Sequence, residues 1–498
     1  MAFARSDSTL FSSARRADRM DEVIEHPFLN GVLPHLLTVA GFLLALFLIA
    51  RLMSEKRQPG NTVAWLLVIV LIPYLGVPLY LLLGGRKVRR QMARKGMVRP
   101  RLPCPETLPA ASTNLPVAQA VTASGGSAPL AGNKVTLLTT GEEAYRVLET
   151  CILEAKHCIH ITTFILGRDD TGRRIIKLLA QRASEGVKVR LLLDAVGCMF
   201  ISRDFLAPLK QAGGEIQWFM PVLHFMPRGT ANLRNHRKIG VFDHTTAIVG
   251  GHNLAREYMG PTPYHKRWVD FGARISGPAA ILLNEVFLAD WCFASGQIAD
   301  KIRNEVPSDN AGHPMGKGEL QVITSGPDVD GDPLYEGLVA MIQAAQRSIW
   351  VITPYFIPDE VLLRSLIVKA RAGVDITLIL PAKSNHPVTD FARKHYLREL
   401  RAAGADIRLY GPGMMHSKVT IVDDRIALFG SANFDLRSLF VNFEIGVLAH
   451  TDADVRAIKA WARTLLPVCR VAKPSPPTKF RWLHGVAEDL SRLFAPLL

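Results

Sequence analysis

Asn235-His236-Arg237-Lys238-Ile239-Gly240-Val241-Phe242-Asp243 returns 180 positions later as Met415-His416-Ser417-Lys418-Val419-Thr420-Ile421-Val422-Asp423. After six further residues each copy reaches a small pair and then an asparagine, Gly250-Gly251-His252-Asn253 and Gly430-Ser431-Ala432-Asn433. Histidine, lysine, aspartate and asparagine all recur at one offset, which two independent accidents would not produce. The β-branched and apolar content of Lys238–Phe242 and Lys418–Val422 predicts a strand in each copy. Residues two apart on a strand share a face, so His236 projects with Lys238 and His416 with Lys418. Asp243 and Asp423 fall at odd offsets near the turn into the next strand, where support of the loop suits them better than contact with substrate. The small pairs at the end of that next strand are expected to let a ligand approach the backbone closely.

Outward from the motifs, helix and strand patterns alternate, as in an α/β architecture. Strands are predicted at Val135–Thr139, Cys158–Leu166 and Val187–Asp194, with helices at Glu142–Ala155 and Thr171–Glu185. A Gly/Pro/Asn-rich break at Pro307–Lys317 precedes a restart. There Leu320–Thr324, Ile349–Tyr355 and Val374–Pro381 read as strands, and Leu334–Ala345 and Asp359–Ala372 as helices. The second copy is displaced by about 180–190 positions. Two copies of one unit commonly pack about a pseudo-two-fold axis, which can set equivalent residues opposite each other. A length of 498 residues fits this division, because single cores stop growing near ~250–300 residues.

Two histidines, two lysines and two asparagines in one cleft suit a phosphodiester. Lysines and asparagines can hold the non-bridging oxygens and the charge of the transition state. One imidazole can attack phosphorus while the other protonates the leaving alkoxide. Each histidine needs a partner to fix its tautomer. The carboxylates for that task are Asp270 and Glu444, 34 and 28 residues after His236 and His416 respectively. A metal is not expected: H-E-x-x-H is missing from the sequence, and a lysine two residues after each histidine opposes a cation. Six cysteines, at 104, 151, 158, 198, 292 and 469, form no C-x-x-C pair, so neither a disulfide framework nor a thiolate zinc site is expected.

The N-terminal end is apolar. Leu36 to Ala50 carries no charge, and a second uncharged run extends from Asn61 to Gly85. With a polar turn between them they read as a transmembrane helical hairpin, spans about 32–52 and 62–84, against a ~30 Å hydrocarbon core. A cleaved signal peptide fits poorly, since a second apolar run follows at once. Immediately after it stand Arg86, Lys87, Arg89, Arg90, Arg94, Lys95, Arg99 and Arg101, with no acid among them. The positive-inside bias places both termini and the large C-terminal region in the cytoplasm. This cluster supplies over half of the +15 net charge and suits anionic headgroups, so nucleic acid is not needed to explain it. Residues 102–133, rich in Pro, Ala, Ser, Thr and Gly, read as a flexible tether. Trp482 to Leu497 forms an amphipathic helical stripe, expected to pack on the core ahead of interfacial lipid contact, and the apolar Phe219–Pro227 reads equally as the guard of a lipid entrance or as a packed loop.

These residues resemble the phospholipase D superfamily, whose mark is the doubled H-x-K-x4-D motif, and more narrowly the bacterial cardiolipin synthases of phospholipase D type. The resemblance extends over Trp65–Pro78, Arg234–Lys238, Thr353-Pro-Tyr-Phe-Ile-Pro358, Gly430–Ser438 and Asn442-Phe-Glu444, and so covers nearly the whole chain. It departs at Ile161-Thr-Thr-Phe-Ile165, where the family usually has a Tyr-Tyr pair before Ile, a change that bears on headgroup contacts.

The resemblance implies two similar phospholipase D-like α/β sandwich units, 134–310 and 311–498, behind a membrane region at 1–101. It implies transphosphatidylation without a metal or cofactor, through a phosphatidyl-histidine. His236 would be the nucleophile and His416 the general acid and later base. Lys238, Lys418, Asp243 and Asp423 would complete the catalytic set, with Asn253, Asn433, Ser431, Asp270 and Glu444 binding phosphate or supporting. The donor would be phosphatidylglycerol and the acceptor a second phospholipid hydroxyl, in a multi-pass protein of the bacterial inner membrane. A hydrolytic phospholipase D would use the same residues with water as acceptor. A nuclease of the superfamily would have no use for two spans, and a membrane scaffold would not need both motifs.

Overall fold

The computed structural model describes residues 33–53, 66–74, 76–77, 95, 111, 115–221, 233–306, 312–329 and 331–472. The chain divides into two compact units, Met1–Gly84 and Gly85–Leu498.

In the first unit, helix α1 (Leu33–Met53) is apolar along its length, with Val39, Phe42, Leu43 and Phe47 exposed. The second apolar run is helical over 66–71, bends at Ile72 ahead of Pro73, and resumes at 73–74 and 76–77. Pro73 disfavours helical geometry in the residue before it, which accounts for the bend. Leu48 and Ile69 bury each other, flanked by Ala45, Ile49, Leu66 and Val77.

Among the described residues, the second unit is built on one sheet of fifteen strands. Its first half comprises β1 (Leu130–Leu138), β2 (Cys158–Thr163), β3 (Lys188–Asp194), β4 (Glu215–Phe219), β5 (Ile239–Phe242), β6 (Thr246–Gly250) and β7 (Gly272–Ser276). Its second comprises β8 (Gly318–Ser325), β9 (Ser348–Ile352), β11 (Asp375–Pro381), β12 (Asp406–Tyr410), β13 (Val419–Val422), β14 (Ile426–Gly430), β16 (Glu444–Ala449) and β17 (Cys469–Val471). The short β10 (Phe356–Ile357) and β15 (Phe434–Asp435) pair apart from it. Reading outward from the middle, the halves run β1-β7-β6-β5-β2-β3-β4 and β8-β16-β14-β13-β9-β11-β12, with β17 added at the far edge. The order is the same in both, and β1 meets β8 antiparallel. A pseudo-two-fold therefore passes between β1 and β8, as the repeat predicts.

Helices cover both faces. On one face α3 (Gly141–Glu154), α4 (Asp170–Ser184) and α5 (Arg203–Gln211) lie over the first half. Over the second half lie α7 (Pro333–Ala344), α8 (Glu360–Arg371) and α9 (Pro387–Ala402). Side chains start several of them: Thr140, Asp169 and Asp359 each accept a backbone N–H from the first turn. On the other face, α6 (Pro278–Ser295) and α10 (Asp452–Thr464) cover the seam. By length and composition α6 would pass for a membrane span, but 72% of it is buried inside the fold. It is a core helix, largely apolar because protein surrounds it, with Asn284, Glu285 and Asp290 buried among its apolar residues.

Two expectations are corrected here. The tether at 102–133 is folded from Leu115 onward: α2 (Pro116–Ala123) buries Val117 and Val121 against Leu334, Leu338 and Met341 of the second half. Gln321 Nε2 then donates to Ala118 O and Ser127 O, and β1 begins at Leu130. The apolar spacing of α2 was hidden among alanines and small polar residues. The small pairs after β6 and β14 also serve a purpose other than ligand approach. A Cβ on Gly250 would lie 2.4 Å from Gly272 Cα, one on Gly251 2.0 Å from the Asp270 carboxylate, and one on Gly430 2.1 Å from Ile445 O. The neighbouring strand and its carboxylate take that space. The C-terminal stripe at 482–497 and most of 219–227 lie outside the described residues.

Candidate active site

The motif spacing follows from a hairpin. β5 ends at Phe242, and Asp243 and His244 both take positive φ, 50° and 58°, before Thr245 N donates to Phe242 O at 3.2 Å. Asp423 (54°) and Asp424 (57°) repeat this between β13 and β14. Two positive φ values make the type I′ turn that suits antiparallel strands, and aspartate is among the residues that tolerate it. Each carboxylate is then spent on the backbone. Asp243 accepts the N–H groups of Lys156, His157 and Cys158, and Asp423 those of Gln346, Arg347 and Ser348, all within 2.9 Å. These aspartates tie the hairpin to the strand beside it.

Just ahead of each motif strand, the chain crosses to the other half. His236 N donates to Phe443 O at 2.9 Å, and His416 N to Val269 O at 2.6 Å. The side chains cross likewise. His416 Nδ1 meets Asp270 Oδ2 at 2.6 Å, while His236 Nδ1 lies 3.3 Å from Glu444 Oε1 and 3.4 Å from Asn442 Nδ2. Sequence order assigned Asp270 to His236 and Glu444 to His416, and the structure exchanges them. The reason is the seam: Asp270 leads into β7 and Glu444 opens β16, the strands next to β1 and β8, so each stands nearest the opposite half.

Around this core, Ser431 Oγ donates to Glu444 Oε2 at 2.5 Å and accepts from Ile445 N. Asn253 Oδ1 accepts from Ile165 N at 3.1 Å, which fastens the end of β2. Asn433 is buried beside Asp435, its Oδ1 without a protein partner among the described residues. Lys238 Nζ donates to His236 O at 2.6 Å, and Lys418 Nζ lies 2.7 Å from His416 Nδ1. The positive charge of Lys238 opposes that of Lys418, and Asp270 and Glu444 act on both lysines. The repeats thus build one site between them.

Comparison with known proteins places this chain. Residues 148–268 and 338–466 match the family described as Cardiolipin synthase, PLD-like domain, and 42–85 match Phospholipase D-nuclease N-terminal. The chain is 34% identical over 477 residues to cardiolipin synthase 1 of Bacillus cereus, covering 93% of this chain and 92% of that one. The chain belongs to the cardiolipin synthase family. Cardiolipin synthase of Geobacillus thermodenitrificans is 33% identical over 489 residues, covering 95% and 96% of the two chains. The crystal structure of phosphatidylserine synthase from Haemophilus influenzae shares the fold, with a TM-score of 0.56 at 15% identity over 83% of this chain and all of that one.

The electrostatics of this cardiolipin synthase family site are set by burial. Burial first, and then the adjacent Lys418 charge, push the His416 imidazole down to about 4 in spite of Asp270. Burial would raise Asp270, but Lys418 and His416 outweigh it and hold the carboxyl at about 2. Both partners of the pair are lowered: burial and then Lys418 act against the imidazolium, while Lys418 and His416 stabilise the carboxylate. Lys418 itself is brought down to about 7, chiefly by burial, and Lys238 is lowered for the same reason. Above pH 7 the empty site loses the Lys418 charge, which the sequence reading assigns to the phosphodiester. We expect kcat/KM to fall on that side, approaching tenfold per pH unit. In Lys418→Arg, whose guanidinium keeps its proton, the added fall above pH 7 should vanish from a pH–rate profile, leaving the slope that His416 sets.

Sequence reasoning missed the aromatic walls. Phe164 packs on His236 with centroids 4.1 Å apart, and Tyr258 and Trp268 flank His416 at 5.2 and 5.4 Å. Phe164 falls in the stretch that departs from the usual family pattern, which was the available signal. A second cluster, Cys158, His160 and His244, gathers potential metal-ligand atoms within 4.8 Å. Arg190 Nη1 lies 3.3 Å from His160 Nε2, and Asn284 holds Nδ1 at 2.8 Å. A guanidinium in that place opposes a cation.

Proposed function

We propose that the protein makes cardiolipin by transferring the phosphatidyl group of phosphatidylglycerol to a hydroxyl of a second phospholipid, with release of glycerol. The observation that carries this reading is the exchanged pair of histidine–carboxylate contacts, which turns two repeats into one two-histidine site. With Nδ1 of each ring facing a carboxylate, Nε2 is the nitrogen for chemistry, that of His416 lying 3.1 Å from Lys418 Nζ. His236 is the nucleophile, in keeping with its more open side chain, 23% exposed against 10% for His416.

His236 Nε2 attacks phosphorus, the bond to the glycerol oxygen breaks, and that oxygen takes a proton from His416. His416 is then the base that removes the proton from the incoming hydroxyl. The new P–O bond forms as the P–N bond to His236 breaks, and His416 ends protonated as it began. In the empty site the His416 imidazole is neutral; the negative charge of the entering diester favours its protonated form, so substrate arms the acid. Lys238, Lys418, Asn253 and Asn433 are the groups for the non-bridging oxygens. Asp243 and Asp423 hold the hairpins in register.

The reading extends to the membrane: a hairpin with spans about 32–52 and 62–84, both termini cytoplasmic, in the bacterial inner membrane, ahead of units meeting near 310. Its support is the exposed apolar surface of α1, the Leu48–Ile69 contact and the N-terminal family match. The test is mass spectrometry of products from full-length enzyme with phosphatidylglycerol in mixed micelles containing EDTA. We expect cardiolipin and glycerol in equal amounts; phosphatidic acid alone would mean hydrolysis, and a need for added divalent metal would overturn the lysine-based site.

A further inference from the structure

The two motifs differ at their middle residue. Ser417 of the second makes one bond there, from Oγ to Val269 O at 3.3 Å. Arg237 of the first is fully buried and lies just ahead of β5. Its Nε donates to Glu444 O at 3.1 Å, its Nη1 to Asp290 Oδ1 at 2.8 Å, and its Nη2 to Asp328 Oδ1 at 3.3 Å. Asp290 also accepts from Asn235 Nδ2 at 2.9 Å. The network therefore holds both neighbours of His236 in the first motif, and the backbone of its carboxylate partner.

Two carboxylates and one guanidinium leave a net negative charge in a place without water access. The missing cation is Lys95, the described residue of the basic segment that follows the apolar runs. Its Nζ lies 2.5 Å from Asp290 Oδ1, is ion-paired with Asp328 Oδ2, and stands 4.5 Å from the centroid of Phe443. Lys95, Arg237, Asp290 and Asp328 all have fully buried side chains. Phe443 is the residue whose carbonyl receives His236 N. A buried charge left without its partner is strongly destabilising where it sits, whereas a balanced set is tolerated. The remaining basic residues of that segment are explained by headgroups; Lys95 is turned to another use.

We propose that Lys95 is a positioning residue for the nucleophile: by neutralising Asp290 and Asp328 it holds Arg237, and through it His236 and Glu444, in the geometry for attack. Lys95 thereby becomes part of the active site's support. The inference rests on His236 being the nucleophile.

The experiment uses full-length protein and a phosphatidyl donor bearing p-nitrophenol, whose release in a stopped-flow burst reports attack by His236 alone. Lys95→Met should slow the burst about ten- to a hundredfold, since small misplacements of a reacting group cost that much. The donor's dissociation constant, read from the concentration dependence of the burst rate, and the rate of the later transfer to acceptor should hold. Lys95→Arg, which keeps the charge, should recover most of the burst rate. So should Lys95→Met/Asp328→Asn, in which one carboxylate again faces one guanidinium. Should Lys95→Met fail to fold, the double variant must restore both folding and burst. A wild-type burst rate in Lys95→Met would overturn the proposal. Equal slowing of both steps, or no recovery in the double variant, would do the same. A wild-type enzyme without any burst would instead count against the nucleophile assignment itself.

Discussion

His236→Ala is expected to lose about 10⁴-fold or more of its turnover with every donor, whatever the leaving group, because no covalent intermediate can form. His416→Ala should behave differently although the repeat makes the two histidines look alike. With phosphatidylglycerol the departing glycerol alkoxide needs a proton, and loss of the acid should cost about 10²–10⁴-fold. A p-nitrophenol leaving group needs almost none, so its first release should stay within a few-fold of wild type. Only the second step, in which His416 is the base, should stall. Burst and steady-state rates with the two donors separate these cases, and equal losses in both variants with both donors would refute the division of labour.

The second large effect comes from the exchanged carboxylates. If Glu444 orients His236 from across the seam, Glu444→Gln should slow the nitrophenol burst about a hundredfold. Asp270→Asn should leave that burst nearly intact while slowing glycerol departure and transfer to acceptor by a similar factor, since it faces His416. Pairing within each repeat predicts the reverse pattern, with Asp270→Asn suppressing the burst. Double variants decide further. Glu444→Gln combined with His236→Ala should be little worse than His236→Ala alone, because both act through one imidazole.

The doubled motif carried much of this architecture in plain sight. Its spacing from lysine to aspartate is the length of one strand plus the first residue of a type I′ turn, so Asp243 and Asp423 were legible as loop residues. The offset between copies implied the two-fold that β1 and β8 realise. What stayed hidden is whatever depends on how the halves face each other. Asp270 is 146 residues from His416, and Glu444 more than 200 from His236; no local pattern encodes such partners, and sequence order suggested the wrong ones. The charge cluster of Lys95, Arg237, Asp290 and Asp328 is hidden for the same reason. Its members are separated by up to 233 positions, so no local pattern joins them. Helix α2 was missed on different grounds: alanines and small polar residues around Val117 and Val121 give a linker-like composition to a segment that Leu334 and Leu338 cover.

The central claim is that phosphorus passes through a bond to His236. The direct test is to mix His416→Ala protein with the p-nitrophenyl phosphatidyl donor, quench at neutral pH in denaturant, digest, and locate the phosphatidyl group by tandem mass spectrometry. The account predicts a stoichiometric, acid-labile adduct on the peptide containing His236. An adduct on His416 in the His236→Ala protein, or none in either variant, would contradict it.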